Sequence, residues 1–167
     1  ALGANTTGSY NIGIGQSAGS ALTTGEKNVF MGFGAGDATT TTDNNTAVGY
    51  DALTTNTTGD TNSAFGKDAL KANTTGTNNT AFGTRTLQAN TTAANNVAVG
   101  DLALSANTTG TKNIAIGPGA GKSITTADEF TAVGYNAGLY ATGGSNTYVG
   151  EATGRGVSGS STATNNT

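Results

Sequence analysis

The sequence predicts an all-β protein, a parallel β-solenoid (β-roll) of 17-residue coils, and three observations predict it. Glycine recurs every 17 residues at Gly15, Gly32, Gly49, Gly66, Gly83, Gly100, Gly117 and Gly134, and once more, one residue early, at Gly150. Each glycine closes a short cassette, as in Asn45-Thr-Ala-Val-Gly49, Asn62-Ser-Ala-Phe-Gly66, Asn79-Thr-Ala-Phe-Gly83 and Asn96-Val-Ala-Val-Gly100. Thr, Asn and Gly number 34, 19 and 27 of 167 residues, against 25 for Leu, Ile, Val and Phe together, so order has to come from backbone ladders more than from a wide apolar core. Units of one length, repeated without insertion, are what stacking along an axis produces.

Counting from each glycine as zero, the unit divides into a strand, a turn, a second short extended piece and a return turn. Residues −4 to −1 are rich in β-branched and aromatic types and stop at glycine, which predicts a strand. Position −1 is always apolar: Ile14, Met31, Val48, Phe65, Phe82, Val99, Ile116, Val133 and Val149. These nine are expected to face the core, with the alanines at −2 (Ala47, Ala64, Ala81, Ala98) on the opposite side, because side chains alternate across a strand. Glycine at zero permits a positive-φ turn or a close backbone approach. Beyond it, Ala at +3 and Leu53, Leu70, Leu87 and Leu104 at +4 are expected to add to the interior, while the flanking copies carry Gly19, Gly36, Gly121 and Gly138 at +4. A Thr-Thr pair at +8 and +9, in eight copies, and a frequent glycine at +10 make the return turn.

Stacking puts equivalent residues ~4.8 Å apart. Asn11, Asn28, Asn45, Asn62, Asn79, Asn96 and Asn113 are therefore expected to form an amide ladder, each side chain bonding to the next coil. Eight steps make a rod of roughly 40 Å. The apolar content per coil is small, roughly 5 kcal/mol at ~1.5–3 kcal/mol per large buried side chain. Ordering the backbone costs about 1–2 kcal/mol per residue. Self-association is accordingly expected, as a trimer sharing an apolar axis or as head-to-tail stacking.

The cassette Asn45-Thr-Ala-Val-Gly-Tyr-Asp-Ala-Leu-Thr-Thr-Asn-Thr-Thr-Gly59 resembles the repeats of phage tail-fibre shafts. It also resembles the head repeats of trimeric autotransporter adhesins, a left-handed parallel β-roll. The resemblance covers residues 1 to about 150. It implies an extracellular, cell-surface or virion-borne filament that acts in attachment, with a cell-surface glycan as a partner. The 17-residue unit is longer than the usual adhesin-head repeat, and neither a coiled-coil stalk nor a membrane anchor is seen in these residues. The repeats are expected to fill residues 1–150. Residues 151–167 are Gly/Ser/Thr-rich, and Thr164-Asn-Asn-Thr167 resembles the start of another cassette that Ala1-Leu2-Gly3 of a second copy would complete.

Composition and motifs argue against other classes. Only 10% of residues are charged, with net charge −3, so there is no electrostatic footprint for nucleic acid. No apolar run approaches the ~18 residues of a membrane span. With neither cysteine nor histidine, thiolate metal sites and the usual hydrolytic triad are out of reach. Gly15-Gln-Ser17-Ala-Gly19 and Gly117-Pro-Gly-Ala-Gly-Lys122-Ser123 look like a hydrolase elbow and a phosphate loop, but the second is one residue short and both fall on repeat positions. Asp51, Asp60, Asp68, Asp101, Asp128 and Glu129 make no recognised cation-loop pattern and read as surface charge. No catalytic, cofactor or metal residue is assigned, and no enzyme is expected.

Three features remain as candidate contacts. The Thr-Thr ranks suggest an alternative binding role, for ice or glycan, on a repetitive Thr/Asn face. Asn-x-Thr sequons at Asn5, Asn56, Asn73, Asn90 and Asn107, with others at Asn44, Asn78 and Asn165, are candidate glycosylation acceptors. Tyr10, Tyr50, Tyr135, Tyr140 and Tyr148 read as scattered aromatics.

Overall fold

The computed structural model describes residues 1–156; the proposed junction formed by residues 164–167, and the sequon at Asn165, lie outside them. Nine three-residue strands follow one another: β1 (Ile12–Ile14), β2 (Val29–Met31), β3 (Thr46–Val48), β4 (Ser63–Phe65), β5 (Thr80–Phe82), β6 (Val97–Val99), β7 (Ile114–Ile116), β8 (Thr131–Val133) and β9 (Thr147–Val149). They form one parallel sheet in sequence order, β1 to β9. The register advances by one 17-residue unit per strand, as in Ala64↔Ala81 and Ala81↔Ala98. From β8 to β9 it advances by 16, as Val133↔Val149 shows, which absorbs the early glycine. The chain is thus a parallel β-solenoid, and no helix occurs among the described residues.

Backbone ladders continue beyond the strands. Leu53, Leu70, Leu87 and Leu104 donate their N–H groups to carbonyls of the next coil at 3.0–3.1 Å. Glu151 to Arg155 belong to this stack too, since Gly138 donates to Thr153 and Tyr140 to Arg155 at 2.8 and 3.0 Å. Coil structure therefore runs past residue 150.

Four positions of a typical coil have positive φ: −5, zero, +2 and +4. They mark the corners where the chain turns. At zero the requirement for glycine is doubly explained. Gly83 has φ 136, and a Cβ there would lie 2.8 Å from the Gly100 carbonyl carbon. At +4, Leu53, Leu70, Leu87 and Leu104 are bent into the left-handed region with φ of 48 to 55. Such conformations are costly for residues with a Cβ, and here they are retained because the turn delivers a leucine side chain to the interior.

The alternation across the sheet has the opposite phase from the sequence expectation. Ala47, Ala64, Ala81 and Ala98 at −2 are fully buried, together with the alanines at +3 and Leu53, Leu70, Leu87 and Leu104. The nine residues placed in the core at −1 lie on the outer face. Ile14, Met31, Phe82, Ile116 and Val149 are exposed, and Val48, Phe65, Val99 and Val133 are half-buried. The reason is room. The coil is too narrow to hold a large side chain from the sheet as well as leucine from the opposite wall, so the small residue faces inward.

Two phenylalanines account for the Leu/Gly split at +4. Phe30 takes the inward −2 position of β2, and Phe130 takes the −4 position just before β8; both are fully buried. Cβ atoms at Gly19 and Gly36 would come within 2.7 and 2.5 Å of the Phe30 ring, and those at Gly121 and Gly138 within 2.8 and 2.4 Å of Phe130. Each ring fills the space that leucines hold in the central coils.

Candidate functional site: the outer face of the sheet

Two asparagine ladders stiffen the wall that carries this face. In the first, Asn28, Asn45, Asn62, Asn79, Asn96 and Asn113 are fully buried, and Asn11 is half-buried at the end. Each main-chain N–H donates to the Oδ1 of the asparagine one coil earlier at 2.9–3.1 Å. Each Nδ2 donates across the coil to the carbonyl at +10, for example Asn62 to Gly76 at 2.8 Å and Asn96 to Gly110 at 3.0 Å. The ladder ties the sheet to the return turn; direct amide–amide bonds add to it at Asn28, Asn79 and Asn96 only. It ends where Phe130 replaces asparagine, its N–H capping Asn113 Oδ1 at 2.9 Å.

The second ladder was not read from the sequence, and it removes four sequons. Asn56, Asn73, Asn90 and Asn107, at +7, are fully buried. Asn73 donates to Asn56, Asn90 to Asn73 and Asn107 to Asn90 at 2.8–3.2 Å. Their amides are consumed by the fold, so they are not accessible glycosylation acceptors in the folded coil. Asn5 makes the same local turn with Gly8 but stays exposed at the first coil. The signal was present as Asn repeating at 17-residue spacing beside Leu at +4, and the sequon pattern masked it. The ladder lapses after Asn107, whose buried Oδ1 has no partner because Ile124 occupies the next rung.

The threonine pair is divided between two roles. The +8 hydroxyls of Thr6, Thr23, Thr40, Thr57, Thr74, Thr91 and Thr108 each donate to the carbonyl of the next coil's +8 threonine at 3.0–3.3 Å. Only the +9 threonines form an exposed rank.

The outer face itself consists of the −3 and −1 ranks. It includes Ile12, Ile14, Met31, Phe82, Ile114, Ile116 and Val149, all among the exposed large apolar residues. Ile14, Phe82 and Val149 are 55%, 57% and 66% exposed. Neither rank contains a charged residue. Phe65 and Phe82 lie with ring centroids 5.4 Å apart. Polar and charged groups border the face at −5, with Lys27, Lys112 and Glu129, and at +1, with Lys67, Asp101 and Glu151. Phe33 and Tyr50 stack at 5.2 Å in the +1 rank, and Tyr135 is exposed there. The −1 rank is apolar in every coil, whereas the −3 rank mixes Ile12, Val29, Val97 and Ile114 with Thr46, Ser63, Thr80, Thr131 and Thr147; a contiguous exposed apolar row of this length marks an interaction surface.

Other polar groups are held locally. Lys71 Nζ lies 3.0 Å from both Asp68 Oδ1 and Asp51 Oδ2, and these partners hold its ammonium above the usual lysine range, Asp68 contributing most. Asp128 accepts from the Thr111 N–H at 2.6 Å and its hydroxyl at 2.8 Å, which lowers its carboxyl below the ordinary value. Ser20 donates to Asp37. Among the described residues no group of acidic side chains is arranged to hold a metal ion. Ser17 has the left-handed conformation shared by the +2 positions, at φ 59, and Gly117, Ala120 and Gly121 serve the coil turn. Lys122 borders a shallow cavity of about 350 Å³ with Asp101, Tyr135, Asn136 and Tyr140.

No protein-family model, curated protein or solved structure matches the chain.

Proposed function

We propose that the chain is a non-enzymatic structural segment, a stiff extracellular fibre or adhesin element that self-associates and takes part in surface attachment. The observation that carries this reading is the outer face, which has an apolar residue at −1 in every coil and no charge in its −3 or −1 rank. The rod spends its buried asparagine amides and its +8 threonine hydroxyls on internal ladders. It also has a rigid wall on which a partner can rest. The extracellular placement rests on the resemblance to tail-fibre and adhesin repeats, and the Thr/Asn-rich composition is compatible with it.

Electron microscopy of the purified protein tests the reading. Rods or filaments with an axial repeat near ~4.8 Å, associated into multimers, are expected. Isolated particles that never associate at high concentration would contradict it.

A second reading, glycan binding, is favoured by the cavity that Tyr135 and Tyr140 line together with Asp101, Asn136 and Lys122. It places a sugar site at one recess rather than along the threonine ranks, whose +8 hydroxyls are already engaged. Glycan-array binding that is lost in Tyr135→Ala would favour it.

A further inference from the structure

We propose that the outer apolar face is covered by a second copy of this chain, packed face to face and antiparallel about a two-fold axis that crosses the fifth coil along β5. The inference rests on the self-association reading and names its partner and geometry. A partner that stays in step with nine ranks ~4.8 Å apart must have the same rise, and another solenoid supplies it.

The charges bordering the face select the arrangement. In an antiparallel pair centred on the fifth coil, the first coil meets the ninth, the second the eighth, and each edge rank meets itself reversed. Lys27 then faces Glu129 of the second copy on the −5 edge, and Lys67 faces Asp101 on the +1 edge. Symmetry repeats both contacts. Lys112 meets Asn44, Glu151 meets Gln16, and Phe33 meets Tyr135, so no like charges oppose one another. All four charged residues of the two ion pairs are exposed; within the chain Glu129 lies 3.4 Å from Lys112, Asp101 3.8 Å from Arg85 and Lys67 3.7 Å from Asp68, so the contacts between copies would extend these surface pairs. Centring half a coil earlier would place Lys27 against Lys112, and centring half a coil later would pair no charges at all. A parallel pair would set each −5 residue against the +1 residue of its own coil, where no opposite charges meet. Such register selection by rim charges is how interfaces acquire specificity.

The flat part of the face is narrow. Eight steps of ~4.8 Å give about 40 Å of length, and a three-residue strand at ~3.3 Å per residue gives about 10 Å between the corners, roughly 400 Å². A standard stable interface covers about 800 Å² per partner, so the edge ranks at −5 and +1 have to supply the rest of the contact.

The chain has no cysteine, so single cysteines report proximity cleanly. Asn78 and Thr84 lie on the two edges of the fifth coil, where each faces its own counterpart across sheets about 10 Å apart. The full chain is expected to sediment as a dimer. Asn78→Cys alone and Thr84→Cys alone should each cross-link to dimer with a bismaleimide of ~10 Å reach, matching that sheet spacing. Lys67→Asp should weaken the dimer at least tenfold, and Lys67→Asp with Asp101→Lys should recover most of the loss. Phe82→Asp should give monomer with an unchanged β spectrum.

Cross-linking only in a mixture of the Asn78→Cys and Thr84→Cys proteins would mark a parallel pair and overturn the proposal. So would a trimer, or a charge swap that restores nothing. Filaments or trimers without the two-fold cross-link leave the structural reading standing and remove this one, whereas a protein that stays monomeric at high concentration removes both.

Discussion

Asn90 shows how much one side chain can hold in this coil. Its Nδ2 donates to Asn73 Oδ1 at 2.8 Å, and its own Oδ1 accepts from Asn107 at 3.2 Å, all inside a fully buried column. Asn90→Ala leaves the buried Asn73 Oδ1 without its donor and takes one of two acceptors from Asn107 Nδ2, which keeps its bond to the Gly110 carbonyl. An orphaned buried group costs about 1–3 kcal/mol, so urea denaturation should show a loss of at least about 1 kcal/mol. Thr92→Ala, in the exposed +9 rank, should stay within about 0.5 kcal/mol. The same burial means that protein made in a glycosylating host should show Asn56, Asn73, Asn90 and Asn107 unmodified by peptide mass mapping. The charged groups matter less, and their sign is definite. The folded Asp128 carboxyl lies below its unfolded value because Thr111 donates twice to it. Its contribution is present above the unfolded carboxyl range and is lost as pH falls through the lowered value. Lys71, raised by Asp68 and Asp51, loses its contribution only as pH rises beyond the usual lysine range. With no histidine, stability should be flat near neutrality and decline in acid. Asp128→Asn should flatten the acid limb of a plot of urea midpoint against pH.

At the scale of the strand, the decisive fact is which of two alternating ranks faces inward. Period-two alternation gives two apolar ranks the same spacing, and a one-residue shift exchanges every side chain between faces. The −1 rank is the more hydrophobic, so an inward −1 is the natural expectation, and it was wrong. Leucines from +4 already fill the narrow interior, and only alanine fits opposite them. Ala98→Asp and Val99→Asp therefore make a diagnostic pair. Ala98 is fully buried, and an unpaired charge there should abolish the β spectrum. Val99 lies on the outer face, and aspartate there should preserve the spectrum while weakening association, read by sedimentation. If Val99→Asp unfolds the protein and Ala98→Asp does not, the assignment of faces is overturned.

Across the whole molecule, volume is conserved between distant parts of the chain. The Phe30 ring rests between Gly19 and Gly36, which lie 11 residues before it and 6 after it in sequence yet meet it in the core. Phe30→Ala should cost about 3–5 kcal/mol, as cavities from phenylalanine do. Gly36→Leu alone should overfill the site, and Phe30→Ala with Gly36→Leu should recover part of the loss, measured by thermal unfolding. Leu at +4 in the middle coils and Gly at the flanks was visible in the sequence. Its cause was not, because nothing local to Gly121 or Gly138 announces that Phe130 needs their space.

The sequence by itself determined the solenoid, its 17-residue coil and the positions of its turn glycines. Stacked units must agree in length, and a Cβ at the zero position would strike the backbone of the next coil. It also marked the residues of both asparagine columns, although one was legible only as sequons. The tertiary structure decided the direction of the −1 rank, since that depends on how much space remains after the opposite wall has been filled. The outer strip follows from that decision: apolar side chains excluded from a narrow interior become a surface.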